Sequence, residues 1–60
     1  MDEHFRAMAL KLAQALTDAG VSLDAPADEI KAAVKEHPAF TNMGRREFGS
    51  VVSTMRQKQG

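Results

Sequence analysis

The chain has 60 residues, 43% of them hydrophobic, and its eight basic side chains balance eight acidic ones. This length allows one domain, near the size at which a single apolar core gives only marginal stability. The absence of cysteine excludes disulfides and thiolate metal sites, and no stretch approaches the roughly 18 apolar residues of a membrane span. We therefore expect one domain over residues 1–60 and no contact with a membrane.

The first segment, about residues 2–19, has the pattern of an amphipathic helix. Asp2 and Glu3 lie in its first turn, where the helix dipole favours negative charge, and Gly20 is a typical left-handed stop. Leu10 lies among polar residues and should be exposed unless a partner covers it, which makes it a candidate dimer contact. The other apolar residues share one face at helical spacing: Phe5, Met8, Ala9, Leu12, Ala15, Leu16 and Ala19.

The second segment predicts a shorter helix over about residues 26–36. Pro26 suits its first position. A short stripe that should be buried consists of Ile30, Ala33 and Val34. Pro38 ends the helix, because the residue before a proline disfavours helical geometry. The residues that follow, up to about Met43, should form a short 3₁₀ turn that inserts an aromatic side chain between the helices.

The third segment, about residues 44–57, predicts a helix with an apolar face and a neighbouring basic face. The fold class is therefore all-α, a small three-helix bundle with a short 3₁₀ turn between the second and third helices. The predicted core draws on all three helices and their connections: Phe5, Met8, Leu12, Leu16, Val21, Leu23, Ile30, Val34, Phe40, Phe48, Val51, Val52 and Met55.

The basic face of the third helix is the strongest indication of function. Arg45 and Arg46 lie near a helix amino terminus, where the dipole disfavours cations, so they indicate a use beyond local stability. A glycine inside a helix is destabilising by about 0.5–1 kcal/mol relative to alanine, so a helical glycine often marks the close approach of another molecule. Gly49 is such a glycine. The predicted partner-binding residues are Arg45, Arg46, Gly49, Ser50, Ser53 and Arg56.

The neutral total charge conceals an asymmetry between the halves of the chain. Residues 1–30 carry a net charge of −4, and residues 31–60 carry +4. Two interpretations remain open. The acidic first half could pair with the basic last helix inside the molecule, or the polarised surface could attract an acidic partner or a second copy.

Catalytic patterns are largely absent. His4 and His37 are far apart in the sequence, and no His-Glu pair recurs at metal-ligand spacing. Ser50 and Ser53 have no histidine or lysine three or four residues away that could activate a hydroxyl. His37, before a proline at a helix end, suits a hydrogen-bonding role there. We therefore expect no enzymatic activity, no cofactor and no metal.

Two classes of binding protein fit the basic face. In the first, the bundle presents this face to a protein or peptide with acidic or phosphorylated residues, or to another copy of itself, because arginine suits forked recognition of carboxylate and phosphate. In the alternative, the second and third helices form a helix-turn-helix variant that binds DNA or RNA. The neutral charge and a predicted connection longer than a compact turn favour the first class.

Several residues resemble an FF domain, a helix–helix–3₁₀–helix module of roughly this length. Phe5 and Phe48 match the two phenylalanines that name the family, and residues 37–40 resemble its Asp-Pro-Arg-Phe/Tyr element. Residues 45–48 resemble its Arg-x-x-x-Phe segment, with one residue fewer between the arginine and the phenylalanine. The chain departs from the family at Ala27, where the family has tryptophan, and at His37, where it has aspartate. The resemblance implies binding of short acidic or phosphorylated peptides of the transcription and splicing machinery.

The expected location follows from the same observations. Residues 1–4 show no basic region followed by an apolar run, so no secretory signal is indicated, and a chain without cysteine suits a reducing compartment. We therefore expect a cytoplasmic protein, or a nuclear one if the FF resemblance holds.

Overall fold

Three α-helices form the part of the chain that the structure describes. The computed structural model describes the backbone of residues 3–59 and the side chains of residues 3–57, and within that range no strand occurs. The all-α three-helix fold predicted from the sequence is confirmed. The predicted first-turn residue Asp2 lies outside the described residues. The helices are α1 (Glu3–Ala19), α2 (Ala27–Ala33) and α3 (Arg45–Gln59).

The core lies mainly between α1 and α3. Nine of the thirteen predicted core residues are buried, while Phe5, Met8, Val21 and Leu23 are partly buried against them. Ala9 joins the core from the predicted apolar face of α1. Ala25 was not predicted, because an alanine in a connection carries no periodic signal. The buried residues are Ala9, Leu12, Leu16, Ala25, Ile30, Val34, Phe40, Phe48, Val51, Val52 and Met55.

The carboxyl end of α1 forms the predicted glycine stop. Gly20 has a φ of +74°, in the left-handed region that glycine adopts without a Cβ clash. Its N–H donates to the Thr17 carbonyl at 3.1 Å, and the Val21 N–H donates to the Leu16 carbonyl at 2.9 Å. This pair of bonds is a Schellman motif. It turns the chain so that Val21 packs against the core.

Helix α2 ends three residues earlier than predicted. The Val34 N–H donates weakly to both the Ile30 and the Lys31 carbonyls, each at 3.3 Å, and Val34 leaves helical geometry with φ −112° and ψ 17°. The next bonds run to the third preceding residue, as in a 3₁₀ turn, including His37 N–H to the Val34 carbonyl. The approach to Pro38 therefore loosens the helix before the proline itself.

The connection between α2 and α3 is held by single turns and one aromatic side chain. The Phe40 N–H donates to the His37 carbonyl at 3.0 Å, a bond of the 3₁₀ type, and the Met43 N–H donates to Phe40 in the same way. The buried ring of Phe40 meets Phe48 of α3 edge to face, with a centroid distance of 6.1 Å. The predicted insertion of Phe40 between the helices is therefore confirmed.

Candidate interaction surface

The start of α3 places two arginines at an exposed helix terminus. Gly44 precedes the helix, and its carbonyl accepts the first helical hydrogen bond, from the Phe48 N–H at 2.9 Å. Arg45 and Arg46 therefore occupy the first two helical positions, and both are exposed. Neither forms an ion pair or a side-chain hydrogen bond within the described part of the chain. Their charge is thus available to an external group.

The nearby carboxylate of Glu47 interacts with α1. Glu47 Oε2 lies 3.1 Å from His4 Nε2, and both side chains are about half exposed. This contact brings the first turns of α1 and α3 together. Among the described residues, no basic side chain of α3 pairs with a carboxylate of the first half. The two halves pack together through α1 and α3, but the described ion pair does not join their opposite charges, so both interpretations of the charge asymmetry stay predictions.

Arg56 has a different environment from the other two arginines. Its guanidinium donates a hydrogen bond to the carbonyl of Ala25, in the connection between α1 and α2. Ala25 is itself buried, and its N–H donates to the Ser22 carbonyl at 3.1 Å. Arg56 therefore links the last turns of α3 to this connection by a hydrogen bond. The position of Arg56 in the sequence does not reveal this role.

The small residues of α3 fall into two shallow depressions rather than one strip. Gly49 and Ser53 line the first together with Arg56 and Ala27 of α2. Ser50 lies with Arg45, Arg46 and the half-buried Phe5 in the second. The predicted site is therefore divided between the side of α3 next to α2 and the side next to the start of α1.

Gly49 faces open space in the isolated chain. A Cβ atom built at this position would meet no heavy atom within 4 Å outside the local helix backbone. No neighbour among the described residues therefore requires a glycine here. The close approach predicted at Gly49, if it occurs, must come from a partner.

A second surface lies between α1 and the residues that follow α2, and the sequence pattern did not reveal it. An open groove with a volume of about 1010 Å³ runs between these segments. Leu10 forms part of its lining and is 63% exposed, which confirms its predicted exposure. Leu10 was the only sequence signal of this groove, because the wall opposite α1 depends on where α2 ends. The other apolar lining residues are Ala15, Ala19, Ala33, Val34, Pro38 and Ala39.

His37 has a local structural role beside this groove. Its Nδ1 accepts a hydrogen bond from the Ala39 N–H at 3.1 Å, and its ring packs at 5.0 Å from Phe40. An accepting Nδ1 places the proton of the neutral ring on Nε2. His37 thus closes the turn after α2: its ring has the predicted hydrogen-bonding role, although the helix itself has already ended at Ala33.

Comparison with protein-family models, with curated proteins and with solved structures finds no match for this chain. The described residues contain no group of three His, Cys, Asp or Glu side chains that could hold a metal ion. None of the described helices is long and apolar enough to cross a membrane. The FF-like resemblance stays a prediction, and the start of α3 and the groove beside α1 are the two candidate surfaces for binding.

Proposed function

We propose that this chain is a non-enzymatic binding module that recognises an acidic or phosphorylated protein segment through the start of α3. Arg45 and Arg46 supply the charge, with Ser50 beside them. The observation that carries the proposal is the position of the arginines. Both are exposed, both lack a partner among the described residues, and both occupy the helix end at which a positive charge is locally unfavourable.

The chemistry of this site favours an anionic group. Arginine presents planar donors that pair with carboxylate and phosphate in a forked geometry. The first backbone N–H groups of a helix have no partner within the helix and add a positive field at the same end. The resemblance to FF domains points to the same class of partner, acidic or phosphorylated peptides. Ser50 and Phe5 border the site and offer a hydroxyl and an apolar surface.

The length of the connection favours this function over nucleic-acid binding. Eleven residues, 34–44, separate α2 from α3, whereas a compact helix-turn-helix has three to four. The net charge of zero also differs from the basic balance typical of nucleic-acid-binding domains. A DNA- or RNA-binding regulator is therefore the alternative that the experiment must distinguish.

The test measures binding of three labelled peptides by fluorescence anisotropy: a neutral peptide, an acidic version and a phosphorylated version. Arg45→Glu with Arg46→Glu should abolish binding of the anionic peptides. Lys31→Glu with Lys35→Glu is the matched control, because it makes the same charge change at exposed positions away from the site. Equal losses in both variants would indicate only general charge attraction and would contradict the proposal.

Two further measurements identify the partner class. An affinity purification from lysate with and without nuclease should retain a protein that the Arg45→Glu/Arg46→Glu variant loses. Nucleic-acid binding would instead disappear with nuclease and weaken steeply with salt, by about one unit of log–log slope for each lost phosphate contact. Replacement of both arginines by lysine should weaken binding if the forked geometry matters, because lysine keeps only the charge.

A further inference from the structure

The groove beside α1 carries charges of both signs, two helical turns apart. Lys11 and Asp18 both line it, and both are exposed. Neither forms an ion pair within the described residues. Asp18 lies in the last turn of α1, where the helix dipole disfavours a carboxylate and where no basic side chain is present. Its position is therefore unfavourable within the isolated helix.

Two antiparallel copies of this face are complementary in charge, because the positive end of each then meets the negative end of the other. A rim of one sign would suit a partner of the opposite charge, but a rim that is positive at one end and negative at the other suits an antiparallel copy. A two-fold axis passing beside Gln14 and Ala15 would set Lys11 of each chain against Asp18 of the other. Leu10 lines the same groove on the flank of the stripe from Lys11 to Asp18, so each copy would cover the other's Leu10 at the edge of the interface.

We propose that a second copy of this chain covers the groove, in an isologous dimer that pairs α1 with α1 in antiparallel orientation. The dimer would bury Leu10 twice and form the Lys11–Asp18 pair twice. This surface is separate from the start of α3, so the dimer does not depend on the proposed peptide-binding function. A standard interface of about 800 Å² per partner would cover roughly a fifth of the 4165 Å² exposed by the chain.

The first test is the oligomeric state of the full chain by sedimentation equilibrium over a wide concentration range. Wild type should form dimers, and Leu10→Lys should weaken association about tenfold or more, because it puts a charge in place of a buried leucine. Ala32→Lys is the matched control, since it adds the same charge at an exposed position on α2 outside the groove. Circular dichroism should show equal helicity in all three proteins. A wild-type chain that remains monomeric at about 1 mM, or a dimer that Leu10→Lys leaves intact, would overturn the proposal.

Charge exchange tests the orientation of the two copies. Lys11→Asp alone and Asp18→Lys alone should each dissociate, because each places like charges opposite one another. An equimolar mixture of the two variants should associate, and the double variant that carries both substitutions should dimerise like wild type. Failure of both the mixture and the double variant to associate would overturn the antiparallel pairing. A dimer that persists in the two single variants would also overturn the antiparallel pairing.

The two proposals fail independently. Loss of the dimer in Leu10→Lys should leave the affinity for anionic peptides unchanged, because the start of α3 lies outside the groove. Arg45→Glu with Arg46→Glu should in turn leave the dimer constant unchanged. If Arg45→Glu with Arg46→Glu also dissociates the dimer, then the basic face and not the groove joins the copies, and the proposed dimer is wrong.

Discussion

The two interfaces of α1 differ in how completely they are covered. Against α3, the side chains of Leu12 and Leu16 are fully buried and meet a face that includes Val51 and Met55, which are buried as well. Against α2, the only buried side chain that the helix itself supplies is Ile30, and an open groove remains beside it. One interface is a closed core, and the other leaves apolar surface exposed to solvent.

Helix length explains this difference. At about 1.5 Å per residue, α1 is about 26 Å long and α2 about 10 Å, whereas α3 nearly matches α1. A helix of two turns cannot cover the face of a helix of nearly five turns. The region around α2 therefore depends on local hydrogen bonds and on Phe40, while the α1–α3 pair depends on packing. The closed core and the open groove therefore lie on different sides of α1.

The largest expected effect is on the closed interface. Phe48→Ala should be destabilising by about 3–5 kcal/mol, because Phe48 is 4% exposed and its loss leaves a cavity beside Phe40. This is comparable with the whole stability of a domain of this size. Thermal or urea unfolding should show a chain that is largely unfolded at 25 °C.

Phe5→Ala is the matched comparison for this prediction. Phe5 is only partly buried, at the start of α1, so its replacement should have a clearly smaller effect than that of Phe48. Equal melting temperatures for Phe48→Ala and wild type would contradict the assignment of the core. Equal losses for the two variants would show that the start of α1 belongs to the closed interface.

The sequence predicts the closed interface well and the open one poorly. The periodic residues of α1 and α3, such as Leu12 and Val51, report burial directly, because each helix is long enough for a face to be recognised. Gly20 and Pro38 mark two connections for local steric reasons. The early end of α2, the groove and the bond from Arg56 to Ala25 depend on how distant segments meet, and no local pattern encodes that. The basic residues were identifiable, but their division between two depressions was not.

The next prediction concerns the end of α1. Gly20→Ala should be destabilising by about 1–2 kcal/mol, because an L side chain adopts the left-handed conformation at that cost. A Cβ atom there would meet nothing within 4 Å, so the expected loss is conformational and not steric. Urea unfolding measures it. A variant as stable as wild type would show that the Schellman motif does not contribute to the α1–α2 connection.

A smaller effect is expected in the turn after α2. His37→Ala should be destabilising by about 1 kcal/mol, because the Ala39 N–H loses its acceptor. His37→Asn should recover part of that loss, since an asparagine oxygen can accept from the N–H two residues ahead. The rest should stay lost, because asparagine cannot replace the ring contact with Phe40. Equal unfolding free energies for the alanine and asparagine variants would indicate that packing of the ring, and not its hydrogen bond, maintains the turn.

The smallest expected effect distinguishes stability from binding on the exposed side of α3. Gly49→Ala should be stabilising by about 0.5–1 kcal/mol, because alanine is the better helix former and its Cβ meets no neighbour. Gly20→Ala makes the same change in equally open space, but it should be destabilising. Opposite signs for the two changes in unfolding free energy would therefore show that the backbone conformation, and not side-chain packing, causes the difference. If a partner approaches α3 at Gly49, the stabilised variant should bind more weakly. Unchanged affinity would confine the binding surface to Arg45, Arg46 and Ser50, and the glycine would then be a cost to the helix without a role in recognition.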